Sequence, residues 1–268
     1  MKVRFCLFTA LALTSSAFAQ KKPVDHTVYD NWKSISSANI SPSGSYIFYS
    51  ITPQEGNSLF VLKNNENKEI ITLPRGYNSQ LTKDEGYFVS LIKPTFEETR
   101  QAKIKKKKAE EMPKDSLFVY AVKTGNQYKF PNVKSYQVPK EIATHLAFVS
   151  DIKSKPSQDT TQKKKEKEKT ITTLHLFNLQ TGDTTNFAQV DQYKINEAGT
   201  KLIFSTKVED KDSLSKVPGV YLYDLPAKKL TKITNIKGAF KNFEFDKSGN
   251  QIAYLGDLSK AKIAVKGF

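Results

Sequence analysis

Ile40-Ser41-Pro42-Ser43-Gly44-Ser45-Tyr46-Ile47-Phe48-Tyr49 sets out the pattern on which the chain is built. An apolar residue closes one strand, three turn-forming residues follow, and glycine comes fourth. An aliphatic residue then stands three positions past the glycine and an aromatic one five past it. The glycine supplies the positive φ of a tight hairpin, and the flanking alternation is that of β-strands. Two relatives repeat this reading: Ile195-Asn196-Glu197-Ala198-Gly199-Thr200-Lys201-Leu202-Ile203-Phe204 and Phe245-Asp246-Lys247-Ser248-Gly249-Asn250-Gln251-Ile252-Ala253-Tyr254. A further copy, Leu81 to Leu91 around Gly86, reads with one extra residue in its turn. His145-Leu146-Ala147-Phe148-Val149 keeps the strand but lacks the glycine turn.

A second element follows each hairpin: Leu59-Phe60-Val61-Leu62, Leu117-Phe118-Val119-Tyr120, Leu174-His175-Leu176-Phe177 and Val220-Tyr221-Leu222-Tyr223. Each leads through a polar or proline-containing turn into a further short strand. The unit is therefore strand, turn, strand, loop, strand, turn, strand. Four short antiparallel strands repeated along a chain are the signature of propeller blades. The fold expected is all-β, a partial β-propeller of four-stranded antiparallel blades, four units and the start of a fifth. A sandwich or solenoid would use the same hairpins, but four-strand periodicity with a hairpin glycine favours the propeller.

The second elements begin at 59, 117, 174 and 220, at intervals of 58, 57 and 46. A plain blade takes about 40–50 residues. The two long intervals contain lysine-rich stretches near 96–114 and 153–169, which read as insertions between the second and third strands of their blades. Phe96 to Met112 is rich in helix formers and is followed by Pro113, which predicts a short exposed helix. Ser154 to Lys169 is polar and poor in apolar residues, the composition of a solvated loop.

Composition narrows the rest. The formal charge of +15 is mostly local to those two insertions, so it does not describe a continuous nucleic-acid-binding face, and no nucleic acid is expected as a partner. At the N-terminus, Lys2 and Arg4 precede an apolar run from Phe5 to Leu13, and Ala17-Phe18-Ala19 has the small-x-small form that a signal peptidase recognises. Residues 1–19 therefore read as a signal peptide, and 20–268 as an exported, incomplete propeller region, periplasmic or secreted. The apolar run of nine residues falls short of the roughly 20 needed to span a bilayer, so no stable membrane span is expected. Cys6, the only cysteine, lies inside that signal, which leaves the mature chain without disulfide or thiol chemistry.

No residue is marked for chemistry. His26, His145 and His175 are far apart and none has a second ligand at metal spacing. His175 alternates with Leu174 and Leu176, as an ordinary strand histidine does. No two of the 12 glycines stand four positions apart, as a G-x-S-x-G nucleophile elbow requires. Neither a P-loop nor a dinucleotide-binding glycine pattern is present. Glu97-Glu98 and Glu110-Glu111 read as surface partners of nearby lysines at helical spacing. Catalytic, cofactor-binding and metal residues are all predicted to be none.

Two segments resemble a known family. Asp25-His26-Thr27-Val28-Tyr29-Asp30-Asn31-Trp32-Lys33-Ser34-Ile35 is similar to the start of exported bacterial peptidases of the prolyl oligopeptidase (S9) family. Thr95-Phe96-Glu97-Glu98-Thr99-Arg100-Gln101-Ala102-Lys103-Ile104 with the lysines that follow, through Met112-Pro113-Lys114-Asp115-Ser116-Leu117, resembles the same proteins. The resemblance implies an N-terminal propeller that gates peptide access to a C-terminal α/β-hydrolase domain bearing a serine triad. No such domain lies in this sequence, so no catalytic residue carries over, and peptide substrate would be met only through the full-length enzyme. Lys262-Ile263-Ala264-Val265 starts another strand just before Phe268, and the chain is expected to be a fragment or a truncated product. The alternative expectation is a stand-alone periplasmic propeller that binds a protein or envelope partner. Neither reading requires a cofactor.

Overall fold

A computed structural model describes Tyr29 and residues 32–153, 170–206, 219–234 and 238–257. The proposed signal peptide and the second lysine-rich insertion fall outside the described residues. Among the described residues seventeen strands run in chain order. The first blade is a meander of β1 (Lys33–Ile40), β2 (Tyr46–Pro53), β3 (Leu59–Asn64) and β4 (Glu69–Pro74). Next come β5 (Gly76–Leu81), β6 (Tyr87–Ile92), β7 (Asp115–Ala121) and β8 (Gln127–Gln137), then β9 (His145–Lys153), β10 (Thr170–Asn178) and β11 (Thr184–Ala188). The fourth blade is β12 (Val190–Ile195), β13 (Lys201–Thr206), β14 (Gly219–Asp224) and β15 (Lys229–Thr234); β16 (Ala239–Phe245) and β17 (Ile252–Asp257) begin a fifth.

The second and third blades depart from four separate strands apiece. They form one seven-stranded sheet, because β8 serves both. Its first part, through Phe130, pairs with β7; Val133 stands opposite both Asp115 and Ser150, and the rest pairs with β9. The missing glycine hairpin of the third unit is thus replaced by a shared strand and a longer connection, 138–144. The bend falls at Asn132, with φ of 58°. Arg75 (φ 65°) occupies the same place between β4 and β5, and Gln189 (φ 60°) between β11 and β12. Numbers 75, 132 and 189 are 57 apart, so at these three joints one left-handed residue steps the chain from an outer strand into the next inner strand. Side chains adopt that backbone at a cost of about 1 kcal/mol, which recurrent pairing on both sides offsets.

Every inner strand, β1, β5, β8, β12 and β16, also shifts register against its neighbour. Such bulges add twist, which lets successive sheets fan out while their inner edges stay together.

The hairpins explain themselves residue by residue. Ser41, Thr82, Asn196 and Asp246 open the four short turns, and each side-chain oxygen accepts from the backbone N–H five residues on, at 3.1, 3.0, 2.8 and 2.7 Å. Gly44 and Gly199 take φ of 74° and 68° at the fourth position. In the second blade Glu85 fills that position (φ 55°) and Gly86 follows it. This corrects the sequence reading: that turn has no extra residue, and its glycine is one place late.

Packing between blades holds the stack together. Leu62, Phe60 and Ile71 of the first blade meet Phe88, Ile92 and Phe118 of the second. Val89, Leu91, Leu117 and Val119, on the opposite face of that blade, meet Leu146, Phe148 and Phe177 of the third. Ala147, Val149, Leu174 and Leu176 then meet Leu202, Phe204 and Tyr223, and Ile203 and Val220 meet Phe240 and Phe243. Because each inner blade is buried on both faces, β6 reads as a nearly unbroken apolar run. Full burial of one such side chain contributes about 1.5–3 kcal/mol. The architecture is all-β, a partial β-propeller of antiparallel blades.

The first insertion holds α1 (Phe96–Ile104) and a 3-10 turn, Ala109–Glu111. The helix starts with a capping box, Thr95 and Glu98 bonding each other's backbone N–H. Among the described residues no helix is long and apolar enough to cross a membrane.

Candidate functional groove on the inner strands

The bulged inner strands bring together residues that lie far apart in sequence. A groove of about 450 Å³ is walled by Asn78 and Gln80 of β5, Tyr136 and Gln137 of β8, Lys194 and Ile195 of β12, and Glu244 and Phe245 of β16. The loop residues Pro139, Lys140, Asn196 and Glu197 form its rim. Four successive blades therefore contribute to one concave, mostly polar surface.

Side chains lace these strands where no backbone ladder joins them. The Tyr136 hydroxyl donates to the Asn78 carbonyl, tying the third blade to the second. Gln137 bridges to β12 through both ends of its amide: Nε2 donates to the Tyr193 carbonyl at 3.2 Å, and Oε1 accepts from Ile195 N–H at 3.1 Å. Ser135 Oγ and the Tyr193 hydroxyl lie 3.0 Å apart. Lys194 and Glu244 pair at 3.0 Å across β12 and β16, and Lys140 pairs with Glu197 at the rim.

Burial and ion pairing set the protonation states around this groove. Burial pushes the Tyr136 and Tyr193 hydroxyls well above the usual phenol range, so both stay neutral at physiological pH. Tyr77, lower on β5, is shifted the same way by burial and by its bond to the Asp115 carboxylate. The Lys140 ammonium holds the Glu197 carboxyl below its ordinary value. Tyr136 and Gln137 are committed to bonds between strands, while Asn78 and Gln80 add side-chain amides able to donate and accept beside the paired charges.

One constellation elsewhere has the outline of a hydrolytic triad. Ser150 Oγ lies 2.8 Å from His175 Nε2, and His175 Nδ1 lies 2.7 Å from Asn186 Oδ1. The amide oxygen only accepts, so Nδ1 carries the proton and Nε2 accepts from the serine. Ser150 is 6% exposed, His175 stacks on Phe148 with ring centroids 4.6 Å apart, and neither residue lines the groove. A substrate carbonyl has no approach to a serine so covered, and the three residues act as a cross-strand tie of β9, β10 and β11. Burial lowers the His175 pKa, opposed by Asn186. His145 is lowered too, by burial and then by Lys228.

No three His, Cys, Asp or Glu side chains gather as metal ligands among the described residues. The groove residues escaped sequence reading because no motif marks them. Only their place on each inner strand, a few positions past the left-handed joint, could have singled them out.

No protein-family model matches the sequence, and no curated protein matches it. Solved structures do resemble it. The β-propeller domain of the Trilobed protease from Pyrococcus furiosus aligns at 13% identity and a TM-score of 0.46, over 86% of this chain and 66% of that one. The tricorn protease aligns at 16% and 0.48, over 88% and 20%. A eukaryotic initiation factor aligns at 11% and 0.47, over 91% and 53%. The chain thus spans less than two thirds of each. These neighbours accompany the architectural assignment, which rests on the sheet order and the cores between blades.

Proposed function

We propose that this chain is the propeller portion of an exported peptidase of the prolyl oligopeptidase family. In that reading it gates peptide access to a hydrolase domain outside these residues. The observation that carries the proposal is the groove, in which the side-chain amides of Asn78 and Gln80 on one inner strand face two lysine–glutamate pairs contributed by the blades that follow. Such a surface takes an extended peptide by its backbone amides and selects weakly among side chains. The likeness of residues 25–35 and 95–117 to the start and first insertion of those enzymes supports the same reading.

The test is the natural gene product. An antibody raised against the propeller should detect, in an extract of the source cells, a band far larger than 30.2 kDa that a fluorophosphonate serine probe also labels. A band of about that mass with no label overturns the proposal. In the labelled enzyme, breaking one groove pair with Lys194→Glu, which sets a second carboxylate against Glu244, should raise KM for longer peptides and leave a dipeptide substrate unaffected.

A further inference from the structure

The first lysine-rich insertion is an ordered projection, and its order points to a role for its charge. Ala102 on α1 is buried, at 3% exposed, and Phe96 N–H bonds Asn57 Oδ1 of the β2–β3 loop at 2.8 Å. The helix ends in a Schellman motif: Lys107 N–H reaches the Ala102 carbonyl at 3.1 Å and Lys106 N–H the Lys103 carbonyl at 2.9 Å. Lys106 stands at the position just past the cap, with φ of 50°. Glycine is the usual residue there because a side chain strains that backbone. This chain keeps a lysine.

Around that turn, Lys103 and Lys105 to Lys108 place five ammonium groups within six residues, and every residue from Lys103 to Glu111 is exposed. None of the five forms an ion pair among the described residues. The acidic neighbours expected to balance them do not do so. Glu98 turns its carboxylate back on Thr95 in the capping box, at the far end of a helix that rises roughly 1.5 Å per residue. Glu110 and Glu111 sit on the following 3-10 turn and pair with none of these lysines among the described contacts.

We propose that this tip docks the protein on an anionic lipid surface. An exposed cluster of cations with no ion pair among the described residues lines no groove that would enclose a single ligand, whereas a planar array of phosphates can meet several of the ammonium groups together. Ile104, 62% exposed among them, offers a short apolar contact at the headgroup boundary. This inference stands apart from the peptidase reading, since it uses the opposite connection of the blade from the hairpin turns that rim the groove.

Sedimentation with vesicles tests it, using the full chain. Vesicles of phosphatidylcholine alone set the baseline, including any contribution of the apolar run Phe5–Leu13. Vesicles with about one third phosphatidylglycerol should bind about ten-fold or more tightly, and the gain should vanish above roughly 0.5 M salt. The K105Q/K107Q/K108Q variant should lose the gain. The K68Q/K83Q/K123Q variant, which removes equal charge from exposed sites elsewhere, should keep it. Lys106→Gly should raise the melting temperature and still weaken vesicle binding, separating charge from folding. Equal loss in both triple variants overturns the proposal, as does binding that is indifferent to phosphatidylglycerol. Tip-dependent capture of a polyglutamate peptide without vesicle binding would assign the tip to an acidic protein and overturn it as well.

Discussion

The turn Asn196–Lys201 and the connection 138–144 do the same work in neighbouring blades by opposite means. The first is self-sufficient: Asn196 Oδ1 accepts from Thr200 and Lys201 N–H, both at 2.8 Å, and Gly199 absorbs the left-handed step. The second leans on the first. Glu141 N–H bonds the Glu197 carbonyl at 2.9 Å, Lys140 pairs with Glu197, and the Ile142 carbonyl lies against Gly199. A locally encoded turn therefore serves as scaffold for one that is not. A sequence motif can carry its neighbour's structure as well as its own.

The most severe way to break this pairing is Gly199→Ala. A Cβ there would lie 2.5 Å from the Ile142 carbonyl oxygen and 3.0 Å from Pro139 Cγ, at φ of +68°. Backbone strain and overlap together should cost about 2–4 kcal/mol, seen as a lower denaturation midpoint. Glu141 amide exchange should also accelerate, because the third-blade connection loses its support. Asn196→Ala comes next, at about 2 kcal/mol, from two backbone N–H groups left without their acceptor. Gly44→Ala is the control within the same motif: φ is +74° but the Cβ would meet nothing within 4 Å. Its cost should be about 1 kcal/mol, with Glu141 exchange unchanged. If the two glycine variants proved equally destabilising, the scaffold argument would fail.

The smallest effect concerns pH and the tie across β9 to β11. Folded His175 has a pKa below its unfolded value of about 6.5. The stability it contributes is therefore fully present above about pH 6.5 and declines as pH falls below that. Thermal melts at pH 7.5 and pH 5.5 should show a fall that shrinks in His175→Asn. His145, lowered in the same direction, should leave a residual fall. An unchanged pH difference in the variant would remove His175 from this account.

These comparisons show where the sequence was readable. Hairpin residues act on their own backbone within five positions, so Ser41, Asn196 and Asp246 announce their turns directly. The helix near Phe96 was legible from its run of helix formers, although it ends at Ile104 and only a 3-10 turn at Ala109–Glu111 follows before Met112. The shared strand β8 was not, because its two halves are defined by partners on different blades. Nothing about Arg75 or Gln189 as residue types favours a left-handed backbone; only pairing on either side imposes it. The groove was hidden for the same cause. Gln137 and Tyr136 acquire their roles from strands about 58 residues away, a separation over which no local pattern persists.

The single-residue joints at 75, 132 and 189 bear on how such a molecule can change over time. A crossing made by one residue leaves no slack, and an added residue there would flip every following side chain to the wrong face. Lengthening is tolerated instead where the chain leaves the second strand for the third, the position of both lysine-rich segments. One rim is thus open to elaboration in a lineage, while the inner edge that walls the groove is held to a fixed stride.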